Sequence, residues 1–176
     1  MFNVTPIVSE RSLDCGPTCL KMLLEYYNIN VDLEQLISEC NVKINGCTVG
    51  DLRRVANLHG LDVTIWDDRS DDPEIASAKI DMVINQDRPA IVWWKHTHFC
   101  IFCGKNNKNE VVIINPDSGK FPISQGTFKS FYSGVSITHG TPETIEDSGD
   151  ADTITISIED YNYLRDIVEA NEEVFT

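Results

Sequence analysis

Between residues 89 and 115, three apolar runs follow one another across short polar breaks: PAIVWW (89–94), HFCIFC (98–103) and EVVIIN (110–115). Each is rich in branched and aromatic side chains, which fit a pleated, packed surface. The break between the last two, GKNNKN, is dense in turn formers. The runs are predicted to be consecutive antiparallel strands. Upstream the period changes. In GPTCLKMLLEYYN (16–28), Cys19, Met22, Leu23 and Tyr26 recur on one helical face, and Pro17 suits the first turn. Asp32 with Gln35, and Thr48 with Asp51, resemble capping boxes that open two more helices, the second stopping at Gly60. LDVTIW (61–66) is strand-like, DDRSDDP reads as a surface loop, and Pro73 opens a helix through about Asn85. A short helix from Gly126 to Tyr132 and a strand VSITH close the body. Helices first and an antiparallel sheet second is an α+β order.

Charge divides the chain. Of 28 Asp and Glu against 14 Lys and Arg, 11 acids and a single base, Arg165, fall in residues 141–176. The expected organisation is therefore a nearly balanced body, 1–140, and an acidic linker with a carboxyl-terminal helix, 141–176. A net charge of −14 over 176 residues argues against nucleic-acid binding, because phosphates need a cationic face. No stretch approaches the roughly 20 apolar residues of a membrane span, and no basic segment followed by an apolar one opens the chain. The expectation is a cytosolic protein without membrane insertion, its six cysteines free thiols.

Asp14-Cys15-Gly16-Pro17 places a cysteine at the amino end of a predicted helix, where unpaired N–H groups and the helix dipole favour negative charge. Cys15 is thus a candidate nucleophile, although a free cysteine is as often a small buried hydrophobe. Cys19, on the apolar stripe, reads as core. A base is needed. His59 sits at a helix end and His139 at the margin of the acidic tail, where it should be solvated. His98 opens an apolar strand able to hold an imidazole rigidly, and His96, two residues away, would share its face. An imidazole also needs a partner to set its tautomer. Asn115 would lie near His98 across the hairpin, and Asp117 competes for the place. Asn before Pro is equally a turn signal. Metal binding is disfavoured: Cys100 and Cys103 would face opposite sides of a strand, and Cys15 with Cys19 has no partner cluster at zinc spacing. No cofactor is expected.

Taken together, DCGPTCLKMLLEYY, PAIVWW followed by His-Phe, and INPDSG resemble the cysteine peptidase domain of bacteriocin-processing transporters, the papain-like double-glycine leader peptidases. The resemblance runs from about residue 8 to 135 and includes the TVGDLRRVANLHGL helix. It implies a papain-like fold with amino-terminal helices packed on an antiparallel sheet, Cys15 as nucleophile and His98 as general base. The family's Asp-Pro falls on Asn115-Pro116, giving a Cys-His-Asn set. The family's oxyanion Gln, six residues before the nucleophile, falls on Ser9, leaving the Ser9 hydroxyl or the Cys15 backbone N–H to act there. A loss of one such donor typically costs about 2.7 to 4 kcal/mol in the transition state. No transporter segment follows the body, which implies a free-standing relative acting on a peptide or protein substrate, cut after small residues such as Gly-Gly. The alternative is a catalytically impaired peptide-binding module. The acidic extension is a candidate dock for a protein partner.

Overall fold

The computed structural model describes residues 1–9 and 11–140. The expected linker and helix of 141–176 lie outside these residues. Five helices and six strands follow in the order α1 (Cys15–Tyr26), α2 (Leu33–Glu39), α3 (Val49–Leu58), β1 (Val63–Asp67), α4 (Pro73–Asn85), β2 (Ala90–Trp94), β3 (His98–Lys105), β4 (Val111–Asn115), β5 (Gly119–Ile123), α5 (Gln125–Phe131) and β6 (Tyr132–His139). The fold is α+β. The six strands pair with one another antiparallel throughout, in the order β1-β6-β2-β3-β4-β5.

The sheet is covered on both faces, which explains why its strands read as continuous apolar runs rather than alternating ones. On one side Cys19, Leu20, Leu23, Leu36 and Val55 of the first three helices meet Phe99, Ile101, Val112 and Ile114. On the other, Ile84 of α4 and Phe128 of α5 meet Val92, Trp94, Phe102 and Ile113. Cys100 and Cys103 do face opposite sides, one in each cluster. The core therefore fixes the sheet between two helical layers, and α1 lies directly on β3.

Caps explain several boundaries. Thr48 and Asp51 form the reciprocal capping box of α3. Asp72 caps α4, accepting from the Glu74 and Ile75 N–H groups ahead of Pro73 at the first turn. The box expected at α2 does not form. Asp32 accepts from Glu34 N–H, and Gln35 donates instead to Glu39 at 2.8 Å, one turn along the exposed face. Strand β5 is a departure too: its Pro122 and half-exposed pattern hide a sheet edge, where a missing donor costs no ladder bond. His139 is half-buried rather than solvated, its Nδ1 2.6 Å from Asp62 O and its ring 4.6 Å from that of Tyr27.

Asp68 is a further correction. Expected in a surface loop, it is 9% exposed, donates its N–H to Gly134 O at 2.7 Å and accepts from the Tyr132 hydroxyl. Burial pushes its carboxyl from 3.8 up to about 6, opposed by Tyr132 and Lys79 and assisted by Asp67. The folded state thus prefers the protonated acid, so this contribution is fully present below 3.8 and lost as pH rises to about 6. Asp68→Asn keeps an acceptor for Tyr132 without the charge. It is expected to stabilise the protein by about 1–3 kcal/mol at neutral pH, a gain that vanishes near pH ~4. Denaturant melts at the two pH values test this; an equal gain at both would sink it.

Candidate active site

Because β3 and β4 run antiparallel in the register Ile101↔Ile114, the start of β3 and the end of β4 share one edge. His98 opens the first and Asn115 ends the second. His98 Nε2 lies 2.9 Å from Asn115 Oδ1. The same Oδ1 accepts from the Asp117 backbone N–H at 2.8 Å, so two donors converge on it and the amide must present its oxygen. Nε2 therefore carries a proton donated to Asn115, and Nδ1 is left to exchange with sulfur. Asp117 is the more distant partner, its Oδ2 3.7 Å from His98 Nε2 and its side chain 51% exposed.

Cys15 begins α1 at 8% exposure. Asp14, the residue before it, is 5% exposed, and Arg11 holds it with Nε at 3.0 Å from Oδ2. Arg11 also reaches Glu34 of α2. The short 3₁₀ turn Ser12–Asp14 that delivers Cys15 is thereby tied to its neighbours. The His98 imidazolium is stabilised up to about 11, first by hydrogen bonding to Cys100, next by that to Cys15, with burial opposing and Asn115 assisting. Cys100 was not anticipated at the site. It lies two residues along β3 from His98, on the same strand face, and burial pushes its thiol up while His98 pulls it down. The i, i+2 spacing is the signal that could have found it.

His96 does not share that face. It sits in the β2–β3 turn at φ +61°, after Lys95 at φ +51°, and its backbone N–H donates to Ser133 Oγ at 2.7 Å. Two adjacent left-handed residues suit the tight turn that returns the chain to His98. Ser9 is near the site through its backbone: its N–H donates to Pro116 O at 2.9 Å. Its hydroxyl is engaged with Arg11, donating to the carbonyl at 2.9 Å and accepting from the N–H at 3.2 Å. His59 is 2.5 Å from Glu39, away from this group. Among the described residues no three His, Cys, Asp or Glu side chains are arranged to hold a metal ion.

Gly16 is required by packing. A β-carbon there would lie 2.5 Å from Cys47 Sγ and 3.3 Å from side-chain atoms of both Leu52 and Phe99. Gly16→Ala is expected to destabilise by about 1–2 kcal/mol, since overpacking outweighs the helix propensity that alanine returns. Chemical denaturation of Gly16→Ala in wild-type and Cys47→Ala backgrounds tests the contact, the cost falling in the second. Beside this turn lies an open groove of about 660 Å³, its apolar surface from Leu13, Ile37, Val42 and Ile44. Arg11, Asp14 and Lys43 supply its polar lining.

The Peptidase C39 family pattern matches residues 3–144. Among characterised proteins, the chain is 23% identical over 133 residues to the colicin V secretion/processing ATP-binding protein CvaB of Escherichia coli. It is 25% identical over 134 residues to the lacticin-481/lactococcin-DR transport/processing ATP-binding protein lcnDR3 of Lactococcus lactis subsp. lactis. Each match covers 75% of this chain but 18% of the relative, so the chain spans less than a fifth of their length. Among solved structures, a double glycine motif protease from an AMS/PCAT transporter in complex with the leader peptide aligns with a TM-score of 0.67 and 26% identity, over 77% of this chain and 90% of that one. The peptidase domain of Streptococcus ComA, a bi-functional ABC transporter involved in quorum sensing, shares the fold at a TM-score of 0.65 and 19% identity, over 77% and 97% of the two chains.

Proposed function

The chain belongs to the Peptidase C39 family, and from that premise we propose that it is a cysteine peptidase that cleaves through a thioester on Cys15. The observation that carries this reading is one imidazole, His98, bonded to Asn115 at 2.9 Å, its charged form favoured by Cys100 and by the candidate nucleophile Cys15. His98 takes the thiol proton, and the sulfur attacks the peptide carbonyl carbon. The Cys15 backbone N–H, at the first turn of α1, meets the developing oxyanion. His98 then protonates the leaving amine; water, deprotonated by the same ring, attacks the thioester, and sulfur leaves. Asn115 keeps Nε2 protonated and the ring in plane throughout.

The substrate in this reading is a leader-bearing peptide cut after small residues such as Gly-Gly, by analogy with the double glycine motif protease. The groove supports it: Ile44 is 85% and Leu13 43% exposed, offering apolar seats beside the basic Arg11 and Lys43. The catalytic unit in this proposal is 1–140, and 141–176 is a docking extension whose partner binding truncation after Gly140 should abolish. Among the described residues no helix is long and apolar enough to cross a membrane, and all six cysteines are free, as suits work in a reducing compartment. A peptide-library cleavage screen, read by mass spectrometry, tests the activity. Labelling by a thiol-reactive peptide electrophile tests the nucleophile: label that persists in Cys15→Ala would overturn the assignment.

A second reading, a peptide-binding module without turnover, is favoured by one observation, the commitment of the Ser9 hydroxyl to Arg11 where the family has its Gln. Saturable peptide binding with no cleavage of any library member would select it.

A further inference from the structure

Outside the candidate site, α2 ends at Cys40, which is fully buried, and the chain then doubles back within a few residues. Lys43 and Gly46 exchange both backbone hydrogen bonds at 2.9 Å, and Gly46 adopts φ +85°. This tight reversal returns Cys47, half-buried, to the same core cluster as Cys40. The influence of the neighbouring Cys40 side chain, ahead of burial, pushes the Cys47 thiol far up. Cys47 is also packed on Gly16, so its sulfur lies against the first turn of α1. The catalytic reading uses neither thiol.

We propose that Cys40 and Cys47 are a reversible oxidation site, forming an intramolecular disulfide by exchange with a small-molecule disulfide of the glutathione class. Cys47, the more accessible of the two, loses its proton and attacks one sulfur of the small disulfide. That S–S bond breaks, one small thiol leaves as thiolate and takes up a proton, and a mixed disulfide remains on Cys47. Cys40 then loses its proton and attacks Cys47 Sγ, releasing the second small thiol. Two electrons pass from the protein pair to the small disulfide, which becomes two thiols. Because Cys47 holds its proton tightly, exchange is slow at neutral pH and accelerates with alkalinity.

The bond closes a loop that carries Val42, Lys43 and Ile44, all lining the groove beside Asp14. Oxidation therefore stiffens one groove wall. Its consequence for substrate affinity rests on the groove seating the peptide, as proposed above, whereas the disulfide itself is read by mass alone.

The full-length wild type and Cys15→Ala are equilibrated at mildly alkaline pH with graded ratios of oxidised to reduced glutathione, alkylated, digested and mass-mapped. The expected product in both is a peptide pair joining Cys40 to Cys47 with the loss of two hydrogens. Thermal melts of the same samples should rise by about 5 °C on oxidation, a shift absent from Cys40→Ala and Cys47→Ala. Full alkylation of Cys40 and Cys47 at every ratio would overturn the proposal. So would a Cys15–Cys47 bond in wild type with Cys47 left alkylatable in Cys15→Ala. Neither result bears on whether peptides are cleaved.

Discussion

Cys15→Ala is expected to lower kcat for peptide cleavage by on the order of 10⁴-fold or more, because water must then attack an unactivated carbonyl directly. The fold should survive. The side chain is small, 8% exposed and at a helix start, so the truncation removes one sulfur from the edge of a core anchored by Leu20, Leu23 and Leu24 further along the helix. Affinity for an uncleaved peptide should be nearly unchanged, since the Cys15 sulfur is no part of the groove's apolar lining. The measurement is single-turnover cleavage beside equilibrium binding of the same peptide. Residual cleavage within tenfold of wild type would remove Cys15 from the chemistry. A parallel collapse of binding and cleavage would point to unfolding, which a melt would reveal.

His98→Ala should follow, with a loss of about 10²- to 10⁴-fold, the usual range for a positioned acid and base. The pH profile separates its partners. The imidazolium is held up to about 11 by sulfur and by Asn115, so the basic limb of kcat/KM is expected far above the ordinary imidazole range near 6.5. Asn115→Ala removes one stabilising acceptor of the charged ring and should move that limb downward. It should also cost tenfold to a hundredfold in kcat, from about 1.5–3 kcal/mol for a hydrogen bond to a charged group. Asp117→Asn should do much less, given its 3.7 Å separation and half-exposed side chain. A larger effect from Asp117 than from Asn115 would reverse their roles.

Much of this was legible in the sequence, for local reasons. The helix α1 announces itself through 3.6-residue periodicity, α3 through its capping box and α4 through Pro73, and β2, β3 and β4 through unbroken apolar runs. The meeting of His98 and Asn115 follows from pairing two adjacent strands, so spacing alone brought them close. Choosing between Asn115 and Asp117 required a turn conformation, in which the Asp117 N–H orients the Asn115 amide, and no spacing rule contains that. The burial of Asp68 depends on Tyr132, 64 residues away, and the placement of Cys47 on Gly16 depends on how α1 settles against its neighbours. His96 was misplaced because period-2 reasoning runs past the end of a strand, while the left-handed backbone of Lys95 and His96 ends it. β5 was missed because a proline at an edge looks like a loop.

The amino-terminal residues make a seam across the sheet. Phe2 N–H donates to Cys103 O at 2.7 Å, Lys120 Nζ reaches Val4 O at 3.3 Å, and Ser9 N–H reaches Pro116 O. Cys15 follows directly, yet its candidate base and that base's partner are encoded about 80 and 100 residues later. On a ribosome adding about 5–20 residues per second, the thiol is synthesised roughly 5–20 s before Asn115 exists. Throughout that interval it is an ordinary cysteine on a nascent helix, without a proton acceptor and without the strand edge that its segment must cross. The seam's partners are made before β6, the strand that joins β1 to β2, and the candidate thiol can meet its imidazole and amide only once β3 and β4 exist.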